Sequence, residues 1–233
     1  MIKSTIEQVI TEDLSEIWQV LTPEEKRLVI ENFTVHRFKK NKVIYQEGDE
    51  PKYLWCLISG KVKKYKDGVG NRVQILRLIK AVQYFGYRAY FAGELYGSSA
   101  MTLEASTLGC IPMELVEKIL QKNVNLAMFF IHELSCNLGN SDTKIVNLTQ
   151  KHIRGRLAET LMVLLDTYGT EEDDNMTLKI YLGREDLANL SNMTTANAIR
   201  TLSNFGDEHL VVVDGRKIKI LDEPELRRIS TTG

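Results

Sequence analysis

From Met113 to Leu148 the sequence is almost free of helix breakers, with no proline and a single glycine, Gly139. The stretch is expected to be helical, and within it Ala127, Ile131, Leu134, Leu138, Ser141, Ile145 and Leu148 step by alternating fours and threes. That spacing holds one narrow seam on the same side of a helix and winds it against a second helix as a coiled coil. A helix lying on its own domain carries a broader apolar face, so the expected partner is the same helix of a second copy, giving a homodimer. One seam position is polar: Ser141, followed by Asp142.

The sequence before this helix has a different period. Between Thr34 and Leu108, short apolar runs such as "KVIYQ", "YLWCLI", "KVKKYK" and "VQILRLI" alternate with turn signals at "EGDEP", "SG", "DGVGN" and "AGELYGSS". Many short strands in so few residues predict an antiparallel barrel or sandwich. Within this zone "YFGYRAYFAGELYGSSAMTLEAS" reads as a compact loop, in which Gly86 and Gly93 bracket an aromatic turn carrying one cation, Arg88, and one acid, Glu94.

After the long helix, "HIRGRLAETLMVLLDTYG" places Ile153, Leu157, Leu161, Leu164 and Leu165 on one helical face ending at a glycine cap. The acidic "TEEDDN" that follows is expected to be a solvated turn. Then Arg184–Leu190 reads as a short helix, "SNM" as a tight turn, and Thr194–Phe205 as a second helix with Thr194 as N-cap and Gly206 as its stop. Ala198, Ile199, Leu202 and Phe205 are expected to face inward with Leu187, Leu190 and Met193, which leaves Thr195, Ala196, Asn197, Arg200 and Ser203 outside. "LVVVDGRKIKI" then predicts two strands joined by Asp214-Gly215 in a type I′ hairpin.

Helix, turn, helix and hairpin in that order make a winged helix-turn-helix. A helix presenting short polar side chains and an arginine can enter a major groove. Arg200 would reach guanine or a phosphate, Thr195 and Ala196 would offer methyl groups to thymine, and Arg184, Arg216 and Lys217 would hold phosphates; Thr194, Asn197 and Ser203 complete the candidate surface. The alternative is a ligand-sensing protein-interaction module without DNA binding. Acids outnumber bases from Thr149 onward, but they concentrate in the 171–174 loop and the tail, and dimerisation doubles every phosphate contact.

Other classes find little support. The net charge of −1 points to neither nucleic acid nor membrane, and the N-terminal "MIKSTIEQVITEDLSEIWQVL" carries acids throughout, so a cytoplasmic protein with no membrane partner is expected. Cys56, Cys110 and Cys136 lie far apart among apolar neighbours and read as core residues, while His36, His132, His152 and His209 lack ligand spacing. No metal site is expected. A β-roll metalloenzyme would need clustered ligands where the strand zone offers only His36, so the chain is read as not an enzyme.

Taken together, "VIYQEGD", "LISGKVKKY", "FGYRAYFAGELYGSSA", the long helix, "RGRLAETL" and the winged helix-turn-helix resemble the CRP/FNR family of bacterial transcription regulators, over about Leu14–Leu221. The resemblance implies an α+β fold: an N-terminal antiparallel β-roll of the cyclic-nucleotide-binding kind (a double-stranded β-helix), a long dimerisation helix, and a C-terminal winged helix-turn-helix. It divides the chain into a sensor with its dimerisation helix at 1–148 and a DNA-binding domain at 149–233. It also implies double-stranded DNA with a two-fold symmetric operator as partner, and leaves RNA polymerase open as a further one.

In cyclic AMP-binding members the 84–106 loop is a phosphate-binding cassette, with a glycine and a ribose-binding glutamate followed by an arginine-serine pair for the phosphate. The matching positions here are Gly86-Tyr87 and Ser98-Ser99. Both the acid and the arginine are missing, and a hydroxyl alone cannot supply a charge-assisted bidentate grip. The two family positions on the long helix that meet adenine align with Ser141 and Asp142, the second now an acid. Cyclic AMP is therefore not the expected effector, and the roll is read as sensing another small molecule or as having lost sensing. Arg88 is a candidate anion anchor, with Tyr87, Tyr90 and Tyr96 lining a pocket; the simpler reading is that the aromatics fill the barrel and Arg88 makes an ion pair. An iron–sulfur centre is not expected, because no cysteine precedes Cys56, whereas haem stays open. Where the family reads bases with an arginine and a glutamate this chain has Thr195 and Ala196, with Arg200 retained, so its operator is expected to differ.

Overall fold

A computed structural model describes residues 15–232. They divide into two compact units, one comprising the chain up to Lys66 with Leu76–Gly139, the other Asp67–Ile75 with the chain from Asn140 onward.

The first unit opens with helices α1 (Ser15–Val20) and α2 (Pro23–Asn32). A capping box starts α2: the Thr22 side chain accepts from Glu25 N and the Glu25 carboxylate accepts from Thr22 N, satisfying two of the orphan donors of its first turn. Eight strands follow: β1 (Thr34–Phe38), β2 (Val43–Tyr45), β3 (Tyr53–Ser59), β4 (Val62–Asp67), β5 (Val73–Ile79), β6 (Tyr84–Phe85), β7 (Ser99–Thr102) and β8 (Ser106–Pro112). They form two four-stranded sheets, ordered β1-β8-β3-β6 and β2-β7-β4-β5.

The alternation along β3 explains how the roll is closed and covered. Trp55 and Leu57 join Val62, Ile79, Phe85, Ala100, Leu108 and Cys110 in one core cluster. Leu54 and Cys56, on the opposite face, join Ile17, Val29, Phe33, Met113, Val116 and Phe130 in another. Side chains alternate across a strand, so a run apolar at every position is one buried on both faces. Gly109 belongs to the same packing: a Cβ there would lie 2.0 Å from Phe33 Cζ, so the Phe33 ring occupies the space a larger residue in β8 would need.

The stretch expected as one helix is two, α4 (Met113–Leu120) and α5 (Val124–Gln150). The break falls at Asn123, whose Oδ1 accepts from Leu126 N at 3.0 Å while its amide donates to Val20 O at 2.9 Å and Glu25 Oε2 at 2.7 Å. An asparagine that caps the following turn and ties down the end of α1 starts a new helix without proline or glycine. Along α5 the expected seam is only partly outward. Ile131, Leu138 and Ile145 are 54%, 64% and 61% exposed, and Ser141 is exposed too. Ala127, Leu134 and Leu148 are half-buried, Leu134 against its own core. Val124 and Met128 add to the exposed stripe instead. Of the cysteines, Cys56 and Cys110 are buried, but Cys136 is exposed on α5, against the expectation that all three lie in the core.

The second unit holds α6 (Ile153–Tyr168), α7 (Arg184–Leu190), α8 (Thr195–Asp207), the hairpin β9 (Val211–Asp214) and β10 (Lys217–Ile220), and α9 (Glu223–Thr232), which packs on α6. Leu157, Leu161, Leu164, Leu187, Phe205 and Leu226 are among its buried residues. The acidic loop is more ordered than a solvated turn: Asp174 accepts from Met176 N, Thr177 N and Thr177 Oγ1 and pairs with Lys219. Those bonds hold the Asp174 carboxyl well below the usual carboxylate range.

Candidate nucleic-acid interface and sensor site

Thr194 caps α8 as expected, its Oγ1 accepting from Asn197 N at 3.2 Å. Between the helices Asn192 takes a left-handed φ of 50°, a conformation asparagine tolerates better than most residues. Buried Ser191 donates to Leu187 O and is hydrogen-bonded to the Thr160 hydroxyl, fastening the turn to α6. The inner face of α8 is Ala198, Thr201, Leu202 and Phe205. Ile199 is the correction: it is 50% exposed, on the outer face with Thr195, Ala196, Arg200 and Ser203, while Thr201 takes the inward place. With 3.6 residues per turn, positions 198, 201, 202 and 205 form one stripe, and 199 falls outside it. Half-buried Asn197 accepts from Arg200 Nη2 at 2.9 Å, which orients the guanidinium along the helix.

The helix also runs past its expected stop. It passes Gly206 to Asp207, and the left-handed residue that follows is His209, at φ 58°. In the hairpin Lys217 pairs with Asp214, so the two central turn residues are Gly215 and Arg216. Gly215 has φ +54° and Arg216 has no positive φ. That is the II′ arrangement, with glycine in the first central position, rather than the expected I′ turn. Arg184 Nη2 donates to Gly215 O at 2.7 Å, joining the start of α7 to the tip of the hairpin.

The charge balance resolves once ion pairs are assigned. Within this unit Arg154 pairs with Glu208, Lys151 with Glu159, Lys179 with Glu172, Lys219 with Asp174, Arg227 with Asp166 and Glu223, and Arg228 with Glu225. Arg184, Arg200, Arg216 and Lys217 have no acidic partner among the described residues. The acids of the loop and tail are thus largely taken up by cations outside the candidate surface.

The cassette begins at Gly86, with φ +94°. A Cβ there would lie 3.0 Å from Tyr53 O and 3.1 Å from Tyr96 Oη, so both backbone and space call for glycine. Helix α3 (Tyr87–Phe91) follows. Tyr87 is buried against Phe130, ring centroids 5.1 Å apart, and Tyr96 stacks on Tyr45 at 3.7 Å. Tyr90 donates to Glu117 Oε2 at 2.5 Å. The tyrosines therefore fill the core, and half-exposed Arg88 pairs with Glu94 at 3.0 Å. Ser99 Oγ accepts from Glu47 N at 3.0 Å, and Ser98 is buried. Ser141 and Asp142 stand exposed on the segment of α5 that belongs to the second unit. Within the first unit a different residue of α5 meets the cassette: Asn137, whose amide donates to Tyr87 Oη at 3.2 Å and whose carbonyl accepts from Arg77 Nη1 at 2.5 Å. Neither Arg77 nor Asn137 had a sequence signal beyond the apolar alternation of "VQILRLI", in which Arg77 falls in register with Ile75 and Ile79.

Residues 35–123 match the cyclic nucleotide-binding domain, and residues 155–229 match the Crp-like helix-turn-helix domain. The chain is 24% identical over 190 residues to the global nitrogen regulator of Nostoc sp., spanning 80% of this chain and 84% of that one. The CRP/FNR family is therefore the family of this chain. The fumarate and nitrate reduction regulatory protein of Vibrio cholerae is 25% identical over 192 residues, 82% of this chain and 76% of that one. The structure of FixK2 from Bradyrhizobium japonicum shares the fold with a TM-score of 0.78 at 18% identity, covering 86% of this chain and 98% of that chain. The helix-turn-helix match of this CRP/FNR regulator covers α7 and α8, and the cyclic nucleotide-binding match covers Gly86–Ser99. Among the described residues no cluster of three or more His, Cys, Asp or Glu is placed to hold a metal ion, and no helix is long and apolar enough to cross a membrane.

Proposed function

We propose that this CRP/FNR regulator works as a homodimer that reads a two-fold symmetric operator through α8, and that its β-roll responds to a small molecule other than cyclic AMP. The observation that carries the DNA reading is the distribution of charge: among the described residues Arg184, Arg200, Arg216 and Lys217 have no acidic partner, while the other lysines and arginines from Lys151 onward, Arg156 apart, are ion-paired. Arg200 and the exposed Thr195, Ala196, Ile199 and Ser203 present to bases, with Asn197 orienting the guanidinium. Arg184, Arg216 and Lys217 flank them for phosphates. Dimerisation through α5 is supported by Val124, Ile131, Leu138 and Ile145, exposed apolar residues at seven-residue intervals. Against cyclic AMP stand Tyr87 and Ser98 in place of the acid and the arginine, with Ser99 already bonded to the backbone. The functional division between sensor and reader is set at 148/149.

Sedimentation equilibrium on the full chain, with selection from random duplex DNA, tests this reading. A dimer that enriches inverted repeats is expected. A monomer without sequence preference would leave only a protein-interaction module.

A further inference from the structure

Two cations of the first unit point into the roll without an acid to meet them. Along β4, Lys64 shares a face with Val62, which is fully buried, and its cross-strand neighbour on β7 is Ala100, also fully buried. Along the adjacent β5, Arg77 shares a face with Ile79, 1% exposed. Residues i and i+2 of a strand lie on the same side, so both side chains start from the inner face of one sheet, and both are partly buried. Arg77 has the neutral Asn137 amide as acceptor, and Lys64 has no hydrogen bond or ion pair among the described residues. Glu94 is taken by Arg88, and Glu133, whose charge helps to raise the Tyr87 hydroxyl, makes no ion pair among the described residues. Burial, then Arg88, then Arg77 push the Lys64 ammonium down from its ordinary pKa. Like charges gathered in a half-dry interior destabilise the apo protein, and an incoming anion would relieve that cost through charge-assisted hydrogen bonds.

We infer that the effector of the roll is a compact organic anion, bearing carboxylate or phosphate oxygens, held by Lys64 on β4 and Arg77 on β5 rather than by the cassette serines. This rests on the reading of the roll as an effector site and names the chemical class of its ligand. It also gives the ligand a route to the long helix, because a guanidinium turned toward an anion gives up some of its bond to Asn137.

The test is thermal melting and calorimetric titration of the full chain with malonate, succinate, glutarate and inorganic phosphate, against sodium chloride at matched ionic strength and neutral succinamide. At about 100-fold over Kd a rise in Tm of roughly 5 °C is expected. A dicarboxylate giving it places carboxylates in the site; phosphate alone giving it places a phosphate there. Lys64→Met is expected to melt higher than the parent without ligand and to lose the ligand-induced rise. The proposal is overturned if no anion exceeds the chloride control, or if Lys64→Met keeps the full rise. Operator affinity separates the two readings: an anion that binds without changing it supports the site and refutes the effector role. Succinamide acting where the anions do not would preserve an effector role and refute the anionic class.

Discussion

Arg77 Nη1 donates to Asn137 Oδ1 at 2.5 Å, and the other end of the same amide donates to Tyr87 Oη at 3.2 Å. One side chain of α5 thus joins a strand of the roll to the first residue of the cassette helix, and each end of the amide has a partner of the right kind. Asn137→Leu removes the acceptor of a guanidinium and the donor to a phenol together. A loss of about 1–3 kcal/mol is expected, seen as a lower urea midpoint at unchanged m. Asn137→Asp keeps an acceptor for Arg77 and is expected to lose less. Equal stability of the Leu variant and the parent would show that the pair is incidental.

The outer face of α8 separates base contacts from phosphate contacts. Arg200→Ala is expected to weaken binding to the selected operator by about 1–3 kcal/mol and to relax its preference at one position. Lys217→Ala is expected to weaken operator and random DNA alike and to reduce the salt slope by about one. Fluorescence anisotropy across a salt series distinguishes them; the same loss for Arg200→Ala on both DNAs would place that guanidinium on the backbone.

Ile131, Leu138 and Ile145 are exposed within the chain, so a charge at Leu138 meets water in the monomer and a hydrocarbon seam in a dimer. Leu138→Asp is expected to shift the sedimentation equilibrium to monomer with the far-ultraviolet circular dichroism unchanged, and to lower operator affinity with it. A Leu138→Asp protein that stays dimeric would move the interface off α5.

The elements legible in the sequence were those written in period and caps: the strands of the roll, the helix-turn-helix with its Thr194 cap, and the winged hairpin. What it concealed were choices that depend on neighbours distant in the chain. Asn123 breaks the long helix because Val20 and Glu25 come within reach of its amide. Ile199 is exposed because Thr201 fits the inner stripe, a decision of packing that hydrophobicity misreports. The hairpin turns on Gly215-Arg216 because register, not the Asp-Gly dipeptide, sets the central pair. In the first unit the tight turn at Gly86 was recognisable, yet Lys64 is hidden in a lysine-rich strand and Arg77 in an apolar one, and only the alternation against Val62 and Ile79 turns both inward.

Buried tyrosines set the alkaline limit of the fold. Burial, with Glu133 nearby, pushes Tyr87 up to about 12, and burial raises Tyr45 and Tyr96, stacked on each other, further still. An unfolded tyrosine ionises near pH 10. Below that pH both states hold the proton and the full stability is present; above it the unfolded chain releases protons the native state keeps, so stability falls as pH rises through the native values. Each such tyrosine contributes a slope of about 1.4 kcal/mol per pH unit between the two. Tyr45→Phe removes one of these protons and is expected to flatten the decline of urea stability between about pH 10 and 12 by that amount. An unchanged slope would mean that Tyr45 ionises in the folded protein as readily as in the unfolded one.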